Sequence, residues 1–139
     1  MFIESNSFRR LYTIDPWEEN YDPNDPSGDE DILLAEKVFD GKFQYNPIIE
    51  KIKAKSADVA NRFEDESIDF IYIDGNHQYE MVKQDLENYV PKIKKGGIIA
   101  GHDYGGHKHT EGTKQAINEF FGKEPEKVYE DHSWVYIKE

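Results

Sequence analysis

The chain has 139 residues, a third of them charged, and its 29 acids against 17 bases leave a formal charge of -12. A surface so acidic repels phosphate backbones and anionic lipid, which argues against nucleic acid or a membrane as partner and suits cationic ligands or a divalent metal. With no cysteine, no apolar run near twenty residues and no basic-then-apolar leader, the expectation is a single cytoplasmic domain spanning 1–139, without disulfides or thiolate metal sites.

Leu11-Tyr-Thr-Ile14 predicts a short strand that ends at Asp15-Pro16, since proline cannot continue regular pairing. From Pro16 to Asp31 the chain is turn chemistry, with Pro16, Pro23, Pro26 and Gly28 among Asn and acids, suiting a solvated loop or a substrate lid. Ser27-Gly-Asp-Glu30 has the form of a capping box, opening a helix with Ile32, Leu33, Ala35, Val38 and Phe39 on its apolar side. Ile48 to Ala54 predicts a strand, and Ser56 caps a helical turn through Ala57, Ala60 and Phe63. Ile68 to Ile73 is apolar at nearly every position, the pattern of a strand buried on both faces.

Tyr79, Val82, Leu86, Val90 and Ile93 then fall at spacings of three and four, an amphipathic helix that Lys94-Lys-Gly-Gly97 terminates. Ile98 to Ala100 predicts the next buried strand, Gly105 to Gly112 a polar loop, and Thr113 to Phe121 a helix. Two closing strands follow, around Lys127 to Glu130 and Ser133 to Ile137. This alternation predicts an α/β fold with a mostly parallel sheet and a helix layer on each face.

Two strands end in the same chemistry. Ile68-Asp-Phe-Ile-Tyr-Ile-Asp74-Gly-Asn-His77 and Gly96-Gly-Ile-Ile-Ala-Gly-His102-Asp103 each deliver a carboxylate and an imidazole at the strand's carboxyl end. Open α/β sheets place their ligands at that edge.

In this order the pieces resemble class I S-adenosylmethionine-dependent methyltransferases, closest to the branch of macrolide-sugar O-methyltransferases and more distantly to catechol O-methyltransferase. The likeness runs from Leu11 to Ile137 and rests on Ile73-Asp-Gly-Asn-His-Gln-Tyr79 with Asp85-Leu86, and on Gly96-Gly-Ile-Ile-Ala-Gly-His-Asp-Tyr104. Ser67-Ile-Asp-Phe70 and Gly112-Thr-Lys-Gln-Ala-Ile-Asn-Glu-Phe-Phe121 fit the same order. The resemblance implies a Rossmann-like three-layer sandwich. It also implies that the chain begins one β-α unit late, without the first strand and its glycine-rich turn, because Met1 to Arg10 reads as the end of the helix that would follow them. In the family sheet that strand lies between the Leu11 and Ile68 strands, so an exposed edge and a homo-oligomer are expectations too.

The same resemblance assigns the site. Asp15 would accept hydrogen bonds from the cofactor ribose, with a turn-starting Asp before Pro as the alternative. Ser56 and Ala57 would border the adenine, unless Ser56 is only an N-cap. Trp17 either covers the adenine face or covers core. Asp74 is placed among both the catalytic and the cofactor-binding residues, and His77 corresponds to the base for the acceptor hydroxyl, against the alternative of a helix cap. Its ordinary pKa near ~6.5 suits a base at neutral pH.

Asp74 and Asp103, at neighbouring tips, suit a divalent cation, magnesium or manganese, and His102 beside them shifts the preference away from magnesium. The alternative has Asp103 capping a loop and His102 bonding to backbone. His107, His109 and His132 are weaker candidates for the base, the His107-Lys-His109 pair being expected to be solvated on a loop rather than metal-binding, and Asp85 and Glu87 are expected on the wet side of a helix. The implied function is O-methylation of a hydroxylated small molecule, with metal assistance as an option. The alternatives are a catalytically inactive module acting in binding or assembly, and a metal-dependent hydrolase using Asp74, His77, His102 and Asp103.

Overall fold

Two sheets carry the strands of the computed structural model, which describes residues 9–19, 21–22 and 32–139. The first pairs β1 (Leu11–Asp15) with β2 (Ile49–Lys53) in parallel, in the register Leu11 to Ile49 through Asp15 to Lys53. The second is four-stranded in the order β3 (Ile68–Ile73), β4 (Ile93–Gly101), β6 (Trp134–Ile137), β5 (Lys127–Val128). Its β3 and β4 are parallel, while β6 runs antiparallel to both β4 and β5. The expected Ser27 to Glu30 capping box, Pro23, Pro26, Gly28 and the reading of residues 1–8 lie outside the described residues.

The connecting helices are α1 (Ile32–Phe43), α2 (Ser56–Val59), α3 (Tyr79–Tyr89) and α4 (Glu111–Phe121). Val82 and Leu86 of α3 and Ala116 and Ile117 of α4 close over Ile93, Ile99, Trp134 and Tyr136 of the larger sheet, which together form the core. The expected spacing of three and four is what turns Val82 and Leu86 to this side. Among the described residues no helix is long and apolar enough to cross a membrane.

Three expectations are corrected by the packing. Leu33 and Val38 of α1 are half exposed or more, and none of its residues is fully buried. The helix instead turns Glu36 and Asp40 toward β2, where Lys51 Nζ meets both carboxylates and Lys53 Nζ meets Glu36. Strand β3 is half-buried rather than buried on both faces, with Tyr72 at the surface.

The third correction concerns the end of α3. Pro91 closes that helix into a single tighter turn, Val90–Lys92, so β4 begins at Ile93 rather than Ile98. The Lys94-Lys-Gly-Gly97 segment that imitates a helix terminus is a bulge within β4. Between the pairs Ile68–Ile93 and Phe70–Ile98 the register slips, and Gly96 takes a φ of 74° there.

Gly101 closes β4 where it is flanked by β3 and β6. A Cβ there would stand 2.3 Å from the Ile73 carbonyl oxygen and 2.7 Å from the Trp134 ring. Replacing Gly101 by Ala should therefore destabilise the fold by about 1–3 kcal/mol, as overpacking does. Urea unfolding should show a lower midpoint at unchanged slope; a wild-type midpoint would contradict this account of the junction.

Candidate functional site

Parallel pairing of β3 with β4 brings their carboxyl ends side by side, and the His102 N–H donates to the Ile73 carbonyl at 3.0 Å to hold them there. Beneath them the Trp134 Nε1–H donates to the His102 carbonyl at 3.0 Å. Asp103 then adopts a φ of 61°, a conformation costly for a residue with a Cβ and tolerated where the surroundings over-determine it.

The side chains delivered this way meet. His102 Nδ1 lies 3.2 Å from Asp103 Oδ2 and 3.9 Å from Asp74 Oδ1. Asp74, His102 and Asp103 each offer a ligand atom within 4.8 Å of the others. His77 Nε2 is 2.8 Å from the same Asp103 oxygen, so one carboxylate oxygen serves two imidazoles. A cavity of about 10 Å³, room for one water-sized sphere, is lined by Asp74, His77, His102, Asp103 and Thr113.

Charge and burial shape the titration of this cluster. Desolvation raises the Asp74 pKa above its ordinary value, repulsion from Asp103 adds to it, and the two imidazoles pull the other way. Burial alone would lower His102, but the charge of Asp103, its hydrogen bond and then Asp74 carry it upward. A contact with the Asp131 backbone acts in the same direction, so the backbone role considered for His102 is met in part.

His77 is not a helix cap. The cap position of α3 is Gln78, and the His77 ring stands between Asp103 and a second carboxylate, Asp22, whose Oδ2 lies 3.2 Å from Nδ1. Its main chain is held as well: its N–H donates to Asp22 Oδ2 at 2.8 Å, and its carbonyl accepts from Thr113 Oγ1 at 3.4 Å. Gly112 permits this approach, since a Cβ there would reach the His77 carbonyl at 2.9 Å. The preceding Asn76, 7% exposed, donates to the Tyr21 carbonyl and accepts the Gln78 N–H. His109, partly buried, stands at the edge of the group with its ring edge-on to His77 at 5.6 Å and stacked in turn on the exposed His107.

A larger cleft of about 430 Å³ opens beside this cluster, lined by Tyr21, Ser56, Ala57, Met81 and Asp85 among others. Ser56 is not an N-cap; Lys55 holds that position, and the Ser56 hydroxyl donates to Asp85 instead. Glu18, Asp58 and Asp85 on the cleft wall face one cation, Lys55, so the cleft favours a positively charged ligand. Asp15 stands at the end of β1 but lines neither cavity. Its Oδ1 accepts the Trp17 N–H at 2.6 Å, the turn-starting bond considered for it, and burial raises its pKa while that bond lowers it. Trp17 packs on Phe39 at 5.5 Å with Lys51 Nζ over its ring, covering α1 rather than the cleft.

Two site residues escape a reading of the sequence. Asp22 sits in a run of turn residues that gives no sign of its partner 55 positions away. Asp85, assigned to the wet side of a helix, faces the cleft; its place in the Asp85-Leu86 motif was the one available signal.

A family model described as a methyltransferase domain matches residues 1–104. An uncharacterized protein of Sinorhizobium fredii is 32% identical over 60 residues, covering 43% of this chain and 7% of that protein. Among solved structures, the O-methyltransferase NovP superimposes with a TM-score of 0.62 at 14% identity, over 93% of this chain and 60% of that one. CalS11, a TDP-rhamnose 3'-O-methyltransferase of calicheamicin biosynthesis, gives 0.58 at 16%, over 93% and 58%. At such identities the likeness is one of fold, and it is the Rossmann-like α/β fold expected. The chain spans less than two thirds of the length of each of these proteins.

Burial holds the Asp85 pKa above its ordinary value of 3.8, with the Ser56 hydrogen bond opposing. A carboxylate raised in the folded state weakens folding once ionised, and the penalty fades as pH falls through the folded pKa toward 3.8. Asp85→Asn keeps an acceptor for Ser56 and removes the charge. Its melting temperature should exceed wild type at neutral pH, with the gap closing as the solution is acidified; a lower value at neutral pH would contradict this.

Proposed function

Matched along residues 1–104 of its 139, the chain belongs to the methyltransferase-domain family, and from that premise we propose that it serves S-adenosylmethionine-dependent O-methylation of a hydroxylated small molecule. The observation that carries the reading is the meeting of Asp74, His77, His102 and Asp103 at the carboxyl ends of β3 and β4.

When bound, S-adenosylmethionine would supply a methyl group on a sulfonium that leaves as a neutral thioether. The cleft beside α3 is of the size that small-molecule ligands fill, and its acidic wall suits that cation. Ser56, Ala57 and Asp85 line it, consistent with the adenine-bordering role of the first two. Asp74 lines the smaller cavity and is the candidate for the remainder of the ligand, whereas Asp15 lines neither cavity and stays outside this set.

The acceptor's hydroxyl oxygen forms the new carbon–oxygen bond, and its proton passes to His77 Nε2, the general base of this reading. In the structure that nitrogen donates to Asp103 Oδ2 at 2.8 Å, so the base role requires the other tautomer, with the incoming hydroxyl in place of that contact. Holding both partners at near-attack distance supplies much of the acceleration.

Two carboxylates and an imidazole at mutual distances under 4.8 Å also fit a divalent cation. Asp74, His102 and Asp103 would hold it, and it would supply Lewis acidity to the acceptor hydroxyl. The imidazole favours manganese over magnesium. A sugar hydroxyl is the acceptor class suggested by the TDP-rhamnose methyltransferase among the structural relatives.

Titration calorimetry tests the first step: S-adenosylmethionine should bind saturably, and no heat at millimolar ligand would reject the reading. For the cation, manganese binding followed by electron paramagnetic resonance should weaken at least ~10-fold in Asp103→Asn. Unchanged affinity would remove Asp103 from the ligand set.

A further inference from the structure

We propose that the loop after β4 holds a phosphoryl group of the acceptor: His107, Lys108, His109 and Lys114 form a donor-rich rim for that anion while the acceptor's hydroxyl reaches His77. The inference rests on the reading of an O-methyltransferase site. It deepens that reading by naming the acceptor's class, a hydroxylated molecule esterified to phosphate or diphosphate.

The rim is tied to the candidate site at both ends. On one side it follows Asp103 through the buried Tyr104 and two left-handed glycines, Gly105 and Gly106. On the other, Gly112 packs on the His77 carbonyl, and Thr113 Oγ1 donates to it at 3.4 Å. Between them the single turn Lys108–Thr110 is closed by the wholly buried Thr110, whose Oγ1 donates to the His107 carbonyl at 2.9 Å. The imidazoles are thereby set in a row. His109 stands 5.6 Å from His77, and His107 stacks on His109 at 5.5 Å with 3° between the rings. His132 ends the row, edge-on to His107 at 6.0 Å and packed on Gly106, where no side chain fits.

Charge separates the two sides of the site. The cleft wall carries Glu18, Asp58 and Asp85 against Lys55, which suits a cationic cofactor. From Tyr104 to Lys114 the balance reverses, with Lys108 and Lys114 against Glu111, in a chain whose net charge is -12. Lys108 makes no ion pair among the described residues, and Lys114 rests its Nζ over the Tyr104 ring at 5.2 Å. The ring nitrogens of His107, His109 and His132 make no hydrogen bond among the described residues, whereas His77 and His102 both face carboxylates. Asp131, the acid beside His132, accepts the Ser133 N–H at 3.0 Å. An imidazole donates through one or both nitrogens and a lysine through three hydrogens, so this ordered turn presents many uncommitted donors. Charge-assisted donors of this kind match the several acceptor oxygens of a phosphoryl group. Two ring contacts separate His77 from His107, a span that a sugar ring and its phosphoryl group can bridge.

Inorganic pyrophosphate titrated into the intact chain, with a chelator present and followed by proton–nitrogen-15 NMR, tests this without turnover. Saturable shifts should concentrate on residues 105–114 and His132. The Kd should rise about 5-fold or more when Lys108→Gln and Lys114→Gln are combined, and stay within about 2-fold when the equally exposed Lys37→Gln and Lys95→Gln are combined instead. No saturable shift, shifts spread evenly over the surface lysines, or an unchanged Kd in the first pair overturns the proposal. Glucose 1-phosphate should shift the same residues and His77 as well, toward which its hydroxyls extend; a rim response with none at His77 overturns the assignment of the phosphoryl group to the acceptor. Glucuronate binding as tightly as glucose 1-phosphate would overturn the choice of phosphate over carboxylate. Pyrophosphate bound at the rim of a chain that gives no heat with S-adenosylmethionine would sink the methylation reading and leave the rim standing, and the opposite pair of results would do the reverse.

Discussion

At the end of β4, three strands approach so closely that no side chain fits between them, and the candidate site exists because of that approach. Gly101 sits against the Ile73 carbonyl on one side and the Trp134 ring on the other. The next residue, His102, bonds back to Ile73 through its amide and accepts from Trp134 through its carbonyl. Asp74, His102 and Asp103 follow directly on that junction. Their separation is therefore set by backbone packing in a well-filled core and not by loop conformation, which makes the cluster rigid.

Above the junction the chemistry is a balance among three carboxylates and three imidazoles. Asp22, Asp74 and Asp103 would repel one another in so small a volume, and His77 and His102 lie between them. His109 adds an aromatic edge against His77. Burial strengthens each of these interactions and raises the cost of leaving any member unpaired. The left-handed backbone at Asp103 fits the same view: the strain is retained where the carboxylate has two partners to satisfy.

What the sequence made legible was local. The apolar run Ile68 to Ile73 and the Gly-Gly-Ile-Ile-Ala run announced two strands, and the polar residues directly after them announced a shared tip. Helix α4 could be read from its spacing because its apolar stripe meets a core of the ordinary kind. Helix α1 was misjudged in rotation because Lys51 and Lys53, on a strand it touches, turn its acids inward against the hydrophobic pattern. The start of β4 was misjudged because a lysine–glycine bulge looks like a helix terminus until Pro91 is weighed. Asp22 and Asp85 belong to the site through partners 55 and 29 positions away, and no local pattern encodes such a pairing.

The fastening of residues 21–22 onto residues 76–77 has an effect on when the site can form. The β3–β4 pair can bring Asp74, His102 and Asp103 together from sequence neighbours some thirty positions apart, whereas the imidazole acquires its second carboxylate only when a far earlier part of the chain has closed a long loop. Closing such a loop costs chain entropy that only the finished packing returns. A partly folded molecule thus carries the acidic tip before the imidazole has its second carboxylate, and the full cluster is reserved for the chain that has finished assembling.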